Sequence, residues 1–172
     1  MLKDYNKKIK ENMKVKIYVK LHNEKCKLES FGNWIDLRSS ETTTLKKFEF
    51  KLIDLGISMK LPKYYQGNIV PRSGTYKNFK MIQTNHYGVV DGPTNTENGY
   101  SGNNDKWKFA ALAIDDTNIN EGDRICQFEI KPTMFAPFWV KLKWLFSNGI
   151  DIIYIDDLNS DDRGGFGQSG VK

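Results

Sequence analysis

The sequence predicts an all-β fold, either a sandwich, a barrel or a jelly roll, built from many short strands. Apolar and polar residues alternate from Val15 to Leu21, which is the period of a half-buried strand. Short apolar runs recur along the chain, and clusters of Gly, Pro, Asn and Asp separate them. No long segment carries a helical period.

The alternation of apolar residues and the positions of the turn residues predict each strand, helix and loop in turn. Residues 15–21 form the first predicted strand, and a short helix is predicted between Gly74 and Phe79. The aromatic and lysine-rich stretch at 138–146 predicts either a strand hairpin or a short amphipathic helix. Residues 1–158 are predicted to form one domain, and the polar, glycine-rich residues 159–172 a flexible tail. The remaining predicted strands are 42–45, 48–52, 57–61, 67–71, 79–82, 87–91, 107–114 and 124–130.

Net charge and the content of histidine and cysteine limit the kinds of partner and metal site that the protein can have. The net charge of +5 suits an anionic partner. We interpret the lysine-rich N-terminal arm as a solvated segment, so no nucleic-acid partner is expected. The two histidines and two distant cysteines exclude a zinc site with several histidine ligands. The cysteine content and the absence of a secretory signal predict a cytoplasmic protein, and the most apolar segment is too short to span a membrane.

Five short motifs carry candidate chemistry, although each also has an ordinary interpretation as a turn or a loop. In the tail, the planar guanidinium group of Arg163 can form two hydrogen bonds to phosphate oxygens, and Phe166 can stack on a base. Arg72 follows a strand end and precedes Ser73 and Gly74, which suits a triphosphate contact. Asp91 is a candidate general base held by a strand, and Tyr100 lies downstream of it. Gln127 lies on a strand of alternating apolar and polar residues. Asp36 is a candidate to bind the hydration shell of a magnesium ion.

Taken in this order, the motifs resemble those of the trimeric dUTPase family, in the form found in Gram-positive bacteria and their phages. The resemblance implies a distorted β jelly roll, a homotrimer with active sites between subunits, and a tail that closes over the site of another subunit. The matching segments are Trp34-Ile35-Asp36-Leu37-Arg38, Pro71-Arg72-Ser73-Gly74, residues 85–91 with Tyr100-Ser101-Gly102, residues 122–127, and residues 163–170.

The resemblance also implies the reaction, which is Mg²⁺-dependent hydrolysis of dUTP to dUMP and pyrophosphate. Asp91 would activate the water that attacks the α-phosphorus, and Asp36 would hold a water on the metal. The implied substrate contacts are Arg72, Ser73, Gly74 and Gln127 at the phosphates, Asn85, Gly88, Val89 and Val90 at the uracil edge, Tyr100 beneath the deoxyribose, and Arg163, Phe166, Gly167 and Ser169 in the tail.

Two insertions depart from the family pattern. The first, at 92–99, separates Asp91 from Tyr100 and places Glu97 at the usual distance before that tyrosine, which makes Glu97 a rival base. Asp91 is preferred because residues 85–91 keep the family spacing. The second, near 138–150, lies between the fourth and fifth motifs. Gln168 also replaces a more usual small hydroxyl residue.

Three alternatives remain at this point. A dCTP deaminase shares the trimeric fold, but that branch lacks the tail motif. A weakly active dUTPase-like protein could act by binding another protein, as some phage relatives do, through either insertion. A basic nucleic-acid-binding module would need stacked aromatic residues along a basic groove, and the sequence does not show them.

Overall fold

Two five-stranded sheets form the body of the protein, as seen in a computed structural model that describes residues 14–30 and 34–165. The first sheet contains β1 (Val15–Leu21), β5 (Phe50–Lys60), β7 (Met81–Gln83), β9 (Lys106–Ala113) and β12 (Ile150–Tyr154), in the order β12-β1-β5-β9-β7. The second contains β2 (Glu29–Ser30), β3 (Ile35–Arg38), β6 (Tyr65–Pro71), β8 (Gly88–Asp91) and β11 (Arg124–Pro132), in the order β2-β3-β11-β6-β8. A small ribbon pairs β4 (Thr43–Leu45) with β10 (Thr117–Ile119).

Helices contribute little. They are a 3-10 turn at Glu24–Cys26, α1 (Thr75–Phe79) and α2 (Phe138–Leu145). The all-β prediction is therefore confirmed, as is the short helix after Gly74. Of the two alternatives for residues 138–146, the structure shows the helix.

Some strand boundaries differ from the prediction. The two predicted strands at 48–52 and 57–61 are one long strand, β5, whose pairing with β9 shifts between Asp54 and Ser58. Gly56 lies in this irregular stretch with a φ of +67°, and a Cβ there would meet Cys26 Sγ at 2.7 Å. Glycine is needed because it adopts this backbone conformation without strain and leaves room for the thiol. The strands β2, β3, β10 and β12 were not predicted.

The core lies where apolar side chains from strands of both sheets pack together. Trp107 of β9 meets Phe128 of β11 edge to face, with ring centroids 5.2 Å apart, and both side chains are almost completely buried. A Cβ at Gly67 of β6 would lie 2.6 Å from the Trp107 ring. The absence of a side chain at Gly67 therefore allows the indole to lie against the backbone of β6.

The opposite face of the second sheet is polar, and it carries the candidate site. Gln127 of the central strand β11 pairs with Asp36 of β3 on one side and with Val70 of β6 on the other. On β8, Val90 is buried, whereas Val89 and Asp91 are exposed. Alternation along each strand thus places the functional side chains outside the core. Within the described part of the chain, no helix has the length and apolar character needed to cross a membrane.

Candidate active site

The first group of site residues is a charged cluster formed by Asp36, Arg72, Arg124 and Gln127, here called the arginine cluster. Arg72 donates from Nε to Asp36 Oδ1 at 2.8 Å. Arg124 donates from Nη1 to Asp36 Oδ2 at 3.1 Å. Gln127 is the cross-strand partner of Asp36, and its amide nitrogen is 3.5 Å from the Pro71 carbonyl oxygen.

Burial determines what this cluster can do. The Asp36 side chain is only 6% exposed, whereas those of Arg72 and Arg124 are 27% and 36% exposed. The buried carboxylate fixes the two guanidinium groups, which reach solvent. Two cations and one anion leave a positive charge at the surface, and planar guanidinium forks match phosphate oxygens. A cavity of about 630 Å³ lined by Arg72 and Ser73 opens beside the cluster.

Local hydrogen bonds hold the Arg72 turn in place. The backbone N–H of Arg72 donates to Thr75 Oγ1 at 2.8 Å, and that hydroxyl donates to the Ile125 carbonyl at 2.8 Å. Thr75 is buried and begins α1, and Gly74 immediately precedes that helix. The turn is thereby tied to the first residues of β11. Ser73 is exposed in this turn, as a ligand contact requires.

The second group contains Asp91, Tyr100 and Arg163. The Tyr100 backbone N–H donates to the Asp91 carbonyl at 2.8 Å, so the two residues are neighbours despite the insertion between them. The Tyr100 hydroxyl donates to the Lys106 carbonyl at 2.9 Å. Burial, together with the nearby carboxylate of Asp105, raises the pKa of Tyr100 to about 12. Arg163 Nη1 lies 3.4 Å from Asp91 Oδ2.

The insertion at 92–99 is an outward loop with a closed base. The Gly92 N–H donates to the Tyr65 carbonyl at 2.9 Å, and the Thr94 N–H donates to the Glu97 carbonyl at 2.9 Å. A Cβ at Gly99 would lie 2.5 Å from the Gly92 carbonyl carbon, so the two ends of the loop touch. Asp91 and Tyr100 therefore keep their adjacency, and Glu97 lies exposed on the loop.

The residues expected at the uracil edge lie on and before β8. Val89 is 53% exposed, whereas Val90 points into the core. Gly88 pairs with Ile69, and Asn85 accepts a hydrogen bond from Gln83 Nε2 at 3.1 Å. The exposed backbone edge of β8 is the outer edge of its sheet, so its polar groups can pair with a ligand.

The two groups are far apart within one chain. Asp91 is opposite Gln66 at one end of β6, whereas Arg72 follows Pro71 at the other end. Six positions of extended chain span about 20 Å. An arginine that binds the phosphates of a substrate and a base that activates water for the same substrate must lie much closer than this. Within one chain, the arginine cluster and the Asp91 group are therefore two separate groups.

The described part of the tail packs against the loop that follows Tyr100. Up to Gly165 it runs along residues 101–105 and presents Arg163 to the Asp91 of the same chain. The expected closure of the tail over another subunit concerns contacts between copies of the chain and stays a prediction. Phe166, Gly167 and Ser169 lie outside the described residues.

Two contributors were missed from the sequence. Arg124 lies within the fourth motif, but its pairing with Asp36 depends on strand register, which the motif does not reveal. Asp105 is buried and accepts hydrogen bonds from both the Tyr100 loop and the tail. Its only signal in the sequence is the turn-forming run Gly102-Asn103-Asn104 before it.

The metal prediction rests on Asp36. Each oxygen of its carboxylate already accepts an arginine N–H, although a carboxylate oxygen has room for a second donor. Among the described residues, no three His, Cys, Asp or Glu side chains are grouped to hold a metal ion. Mg²⁺ keeps several waters and commonly binds through substrate phosphates with one or two carboxylates. The residues therefore fit an ion that arrives with a triphosphate.

Comparison with known proteins decides the family. The family model described as dUTPase matches residues 34–133, which include the arginine cluster, Asp91 and Tyr100. This chain belongs to the dUTPase family. Among curated dUTPases, the SPbeta prophage-derived deoxyuridine 5'-triphosphate nucleotidohydrolase YosS of Bacillus subtilis is 48% identical over 141 residues, covering 82% of this chain and 86% of that protein. The deoxyuridine 5'-triphosphate nucleotidohydrolase of Finegoldia magna is 31% identical, over 92% of this chain and 99% of that protein.

Solved dUTPase structures share the fold. That of Streptococcus mutans superposes with a TM-score of 0.59 at 16% identity, covering 69% of this chain and 98% of its own. A Staphylococcus bacteriophage 80alpha dUTPase variant with dUpNHpp gives a TM-score of 0.57 at 18% identity, covering 90% and 98%. These similarities place the two sheets in the dUTPase jelly roll.

Proposed function

We propose that this dUTPase hydrolyses dUTP to dUMP and pyrophosphate at sites assembled between copies of the chain. The observation that carries the proposal is the pair of half-sites: an arginine cluster for phosphates and, about 20 Å away along β6, a carboxylate beside a tyrosine. In a cyclic trimer, the arginine cluster of one copy can face the Asp91 of the next.

Asp91 is the proposed general base. Its carboxylate would take a proton from a water whose oxygen attacks the α-phosphorus. The bond from that phosphorus to the oxygen bridging to the β-phosphate breaks, and pyrophosphate leaves. Asp91 suits this role because β8 fixes its backbone while its side chain remains 55% exposed. Arg163 is close enough to orient the carboxylate before substrate binds.

Arg72 and Arg124 would neutralise charge on the phosphates. Asp36 keeps both guanidiniums in place, and Ser73, Gly74 and Gln127 line the same region. Positioned cations of this kind stabilise charge that develops during phosphoryl transfer. Bound Mg²⁺ would supply further neutralisation across the phosphates, and Asp36 would accept a hydrogen bond from one of its waters. A related phage phi11 dUTPase is described with a structural Mg(II) ion.

Selection of the nucleoside falls to β8 and Tyr100. The backbone edge from Gly88 to Val90, with Asn85 before it, can pair with the polar edge of uracil. The Tyr100 ring is held by its hydroxyl bond to the Lys106 carbonyl, and it would pack beneath the deoxyribose and exclude a 2′-hydroxyl. Phe166, Gly167 and Ser169 would complete the lid over the nucleotide, with Arg163 at the terminal phosphate. The two buried free cysteines suit a reducing compartment, so we place the enzyme in the cytoplasm.

Pyrophosphate release from dUTP with Mg²⁺ tests the activity, and no release at micromolar enzyme would contradict it. Mixing two inactive variants tests the shared site. Asp91→Asn chains retain the arginine cluster, and Arg72→Ala chains retain the base. If sites form between copies, co-refolded mixtures regain about a quarter of full activity, because a site needs one intact half from each kind of chain. Sites contained in one chain would leave the mixture inactive.

A second candidate function is binding of a regulatory protein by a weakly active enzyme. The observation that favours it is the surface of α2, where Phe138, Trp139 and Leu145 are 65%, 74% and 67% exposed. Large exposed apolar patches mark interaction surfaces. The helix carries Lys141 and Lys143 and no acidic residue. The partner that fits is a protein segment whose apolar side chains are flanked by carboxylates.

A synthetic amphipathic helix of Leu and Glu is a suitable probe for this surface. It should change the tryptophan fluorescence of the wild type, and Trp139→Glu should abolish the change while dUTP hydrolysis persists. Absence of binding would contradict the candidate. Dissociation of the oligomer in Trp139→Glu would instead assign the surface to contacts between copies of the chain.

A further inference from the structure

Gln83 carries a buried side-chain amide next to the turn that precedes β8. It is the last residue of β7, an edge strand of the first sheet, and it is 9% exposed. Its Nε2 donates to the carbonyl of Ile69, on β6 of the second sheet, at 3.2 Å, and to Asn85 Oδ1 at 3.1 Å. A Cβ at Gly88 would lie 3.5 Å from the same nitrogen. The side chain therefore links the two sheets and reaches the turn between β7 and β8.

The Ile69 carbonyl determines the orientation of the Gln83 amide. A carbonyl oxygen only accepts hydrogen bonds, so the NH₂ group of Gln83, and not its oxygen, must face Ile69. That NH₂ group has a second hydrogen, which is directed to Asn85 Oδ1. The Oε1 atom of Gln83 is buried and has no hydrogen-bond partner among the described residues, so the NH₂ group alone holds the side chain.

The Asn85 amide is oriented in turn by Gln83. An asparagine side chain carries one acceptor and one donor group, and an unrestrained side chain can rotate to present either. Because Oδ1 faces Gln83, the NH₂ group of Asn85 points away from Gln83, and Asn85 is exposed. Uracil has an acceptor oxygen at position 4, whereas cytosine has an amino group there, which donates. An outward donor of fixed orientation therefore suits uracil and opposes cytosine.

We propose that Gln83 is a positioning residue that makes the site selective for uracil over cytosine by fixing the orientation of the Asn85 amide. This inference rests on the proposed function, in which Asn85 faces the base. Gln83 is buried on the inner face of β7, so it acts on the base only through Asn85. A site with fixed polar groups rejects a base that leaves one of those groups unpaired.

Gln83→Met tests this role, because methionine has a similar length and no hydrogen-bond donor. Without its partner, the Asn85 amide can rotate and accept from the amino group of cytosine. Calorimetric titration with dUpNHpp and with its deoxycytidine counterpart measures the preference without any hydrolysis. We expect the ratio of the deoxycytidine to the deoxyuridine dissociation constant to fall about five- to tenfold, the factor expected for one hydrogen bond.

Gln66→Met is the matched control. Gln66 Nε2 donates to Asn68 Oδ1 at 2.9 Å, so the two residues form a similar glutamine–asparagine pair on β6. Loss of this pair should leave the ratio of dissociation constants unchanged. The double variant Gln83→Met, Asn85→Ala should have the same ratio as Asn85→Ala alone, because Gln83 acts only through Asn85.

Asn85→Asp provides a second test in a protein that keeps Gln83. One carboxylate oxygen still accepts from Gln83 Nε2, and the other replaces the outward donor with an acceptor. The preference should then shift toward the deoxycytidine compound. An unshifted preference in this variant would overturn the proposal even if Gln83→Met failed to fold, which urea unfolding would show.

An unchanged ratio in folded Gln83→Met would also overturn the proposal, as would an equal fall in Gln66→Met. In both cases a wild type that prefers the deoxyuridine compound would leave the proposed function standing. A wild type without that preference would instead contradict the proposed function, on which the inference rests.

Discussion

Arg72 and Asp36 are 36 positions apart in the chain, and a 2.8 Å hydrogen bond joins the guanidinium of one to the carboxylate of the other. The same carboxylate holds Arg124. One buried anion therefore organises two cations that face solvent, and the surface proposed to bind phosphate depends on it.

Asp36→Asn should weaken both substrate binding and the fold. The amide removes the negative charge and can accept from only one arginine, so we expect KM for dUTP to rise about tenfold and the free energy of unfolding to fall by about 1–3 kcal/mol. Steady-state kinetics and urea unfolding measure the two effects. Asp116→Asn, which breaks the fully exposed pair with Lys46, is the control and should change neither. Equal effects in both variants would show that Asp36 has no special role.

Asp91→Asn should abolish turnover and leave binding of a non-hydrolysable dUTP analogue largely intact. Loss of a general base reduces kcat by about 10²- to 10⁴-fold. Glu97→Gln is the matched control, since Glu97 lies exposed on the inserted loop and should tolerate the change. Calorimetric titration separates binding from chemistry. Should Glu97→Gln be the inactive variant, the base would be Glu97.

Gly67→Ala should destabilise the protein by about 1–3 kcal/mol, the usual cost of overpacking a core. Its new methyl group would meet the fully buried Trp107 ring, which has little room to move. Gly88→Ala provides a comparison within the same sheet, because a Cβ there meets only ordinary contacts, the nearest at 3.4 Å. Urea unfolding followed by tryptophan fluorescence measures both. A larger loss in Gly88→Ala would contradict the packing argument.

Alkaline pH should destabilise the fold through its two thiols. Burial raises the pKa of Cys26 from 9.0 to about 11, and it also raises the pKa of Cys126 above its usual range. In the folded state these thiols keep protons that the unfolded chain has lost, so stability is complete below pH 9 and falls as the pH rises. The urea midpoint should therefore decrease from pH 8 to pH 10. In a Cys26→Ala, Cys126→Ala double variant, the urea midpoint should fall less over the same pH range. A decrease equal to that of the wild type would refute the assignment to the thiols.

Local sequence patterns were enough to predict several of the strands and the first helix. The alternation from Val15 to Leu21 predicted β1, and the Gly74 turn predicted α1, because both depend on residues close together in the chain. The strand β12 was missed. Its partner β1 is more than a hundred residues away, and the two strands pair in parallel. No short turn connects them, so no local sequence signal indicates the pairing.

The motifs predicted the candidate site residues but not their arrangement. Asp36, Arg72 and Gln127 could be proposed as phosphate contacts from residue type and order. That Asp36 would be buried between two arginines depends on the register of β3 against β11. A shift of one residue would have turned its side chain to the other face.

By itself, the sequence determined the β architecture, the family and the candidate chemistry, because alternation, turn residues and short motifs are local properties. The tertiary structure decided that the candidates form two groups at opposite ends of β6, that the inserted loop leaves Tyr100 beside Asp91, and that Asp105 accepts hydrogen bonds from both the Tyr100 loop and Arg163. These relationships arise from strand pairing and close approach between distant segments. They depend on three-dimensional distance, which no local pattern encodes.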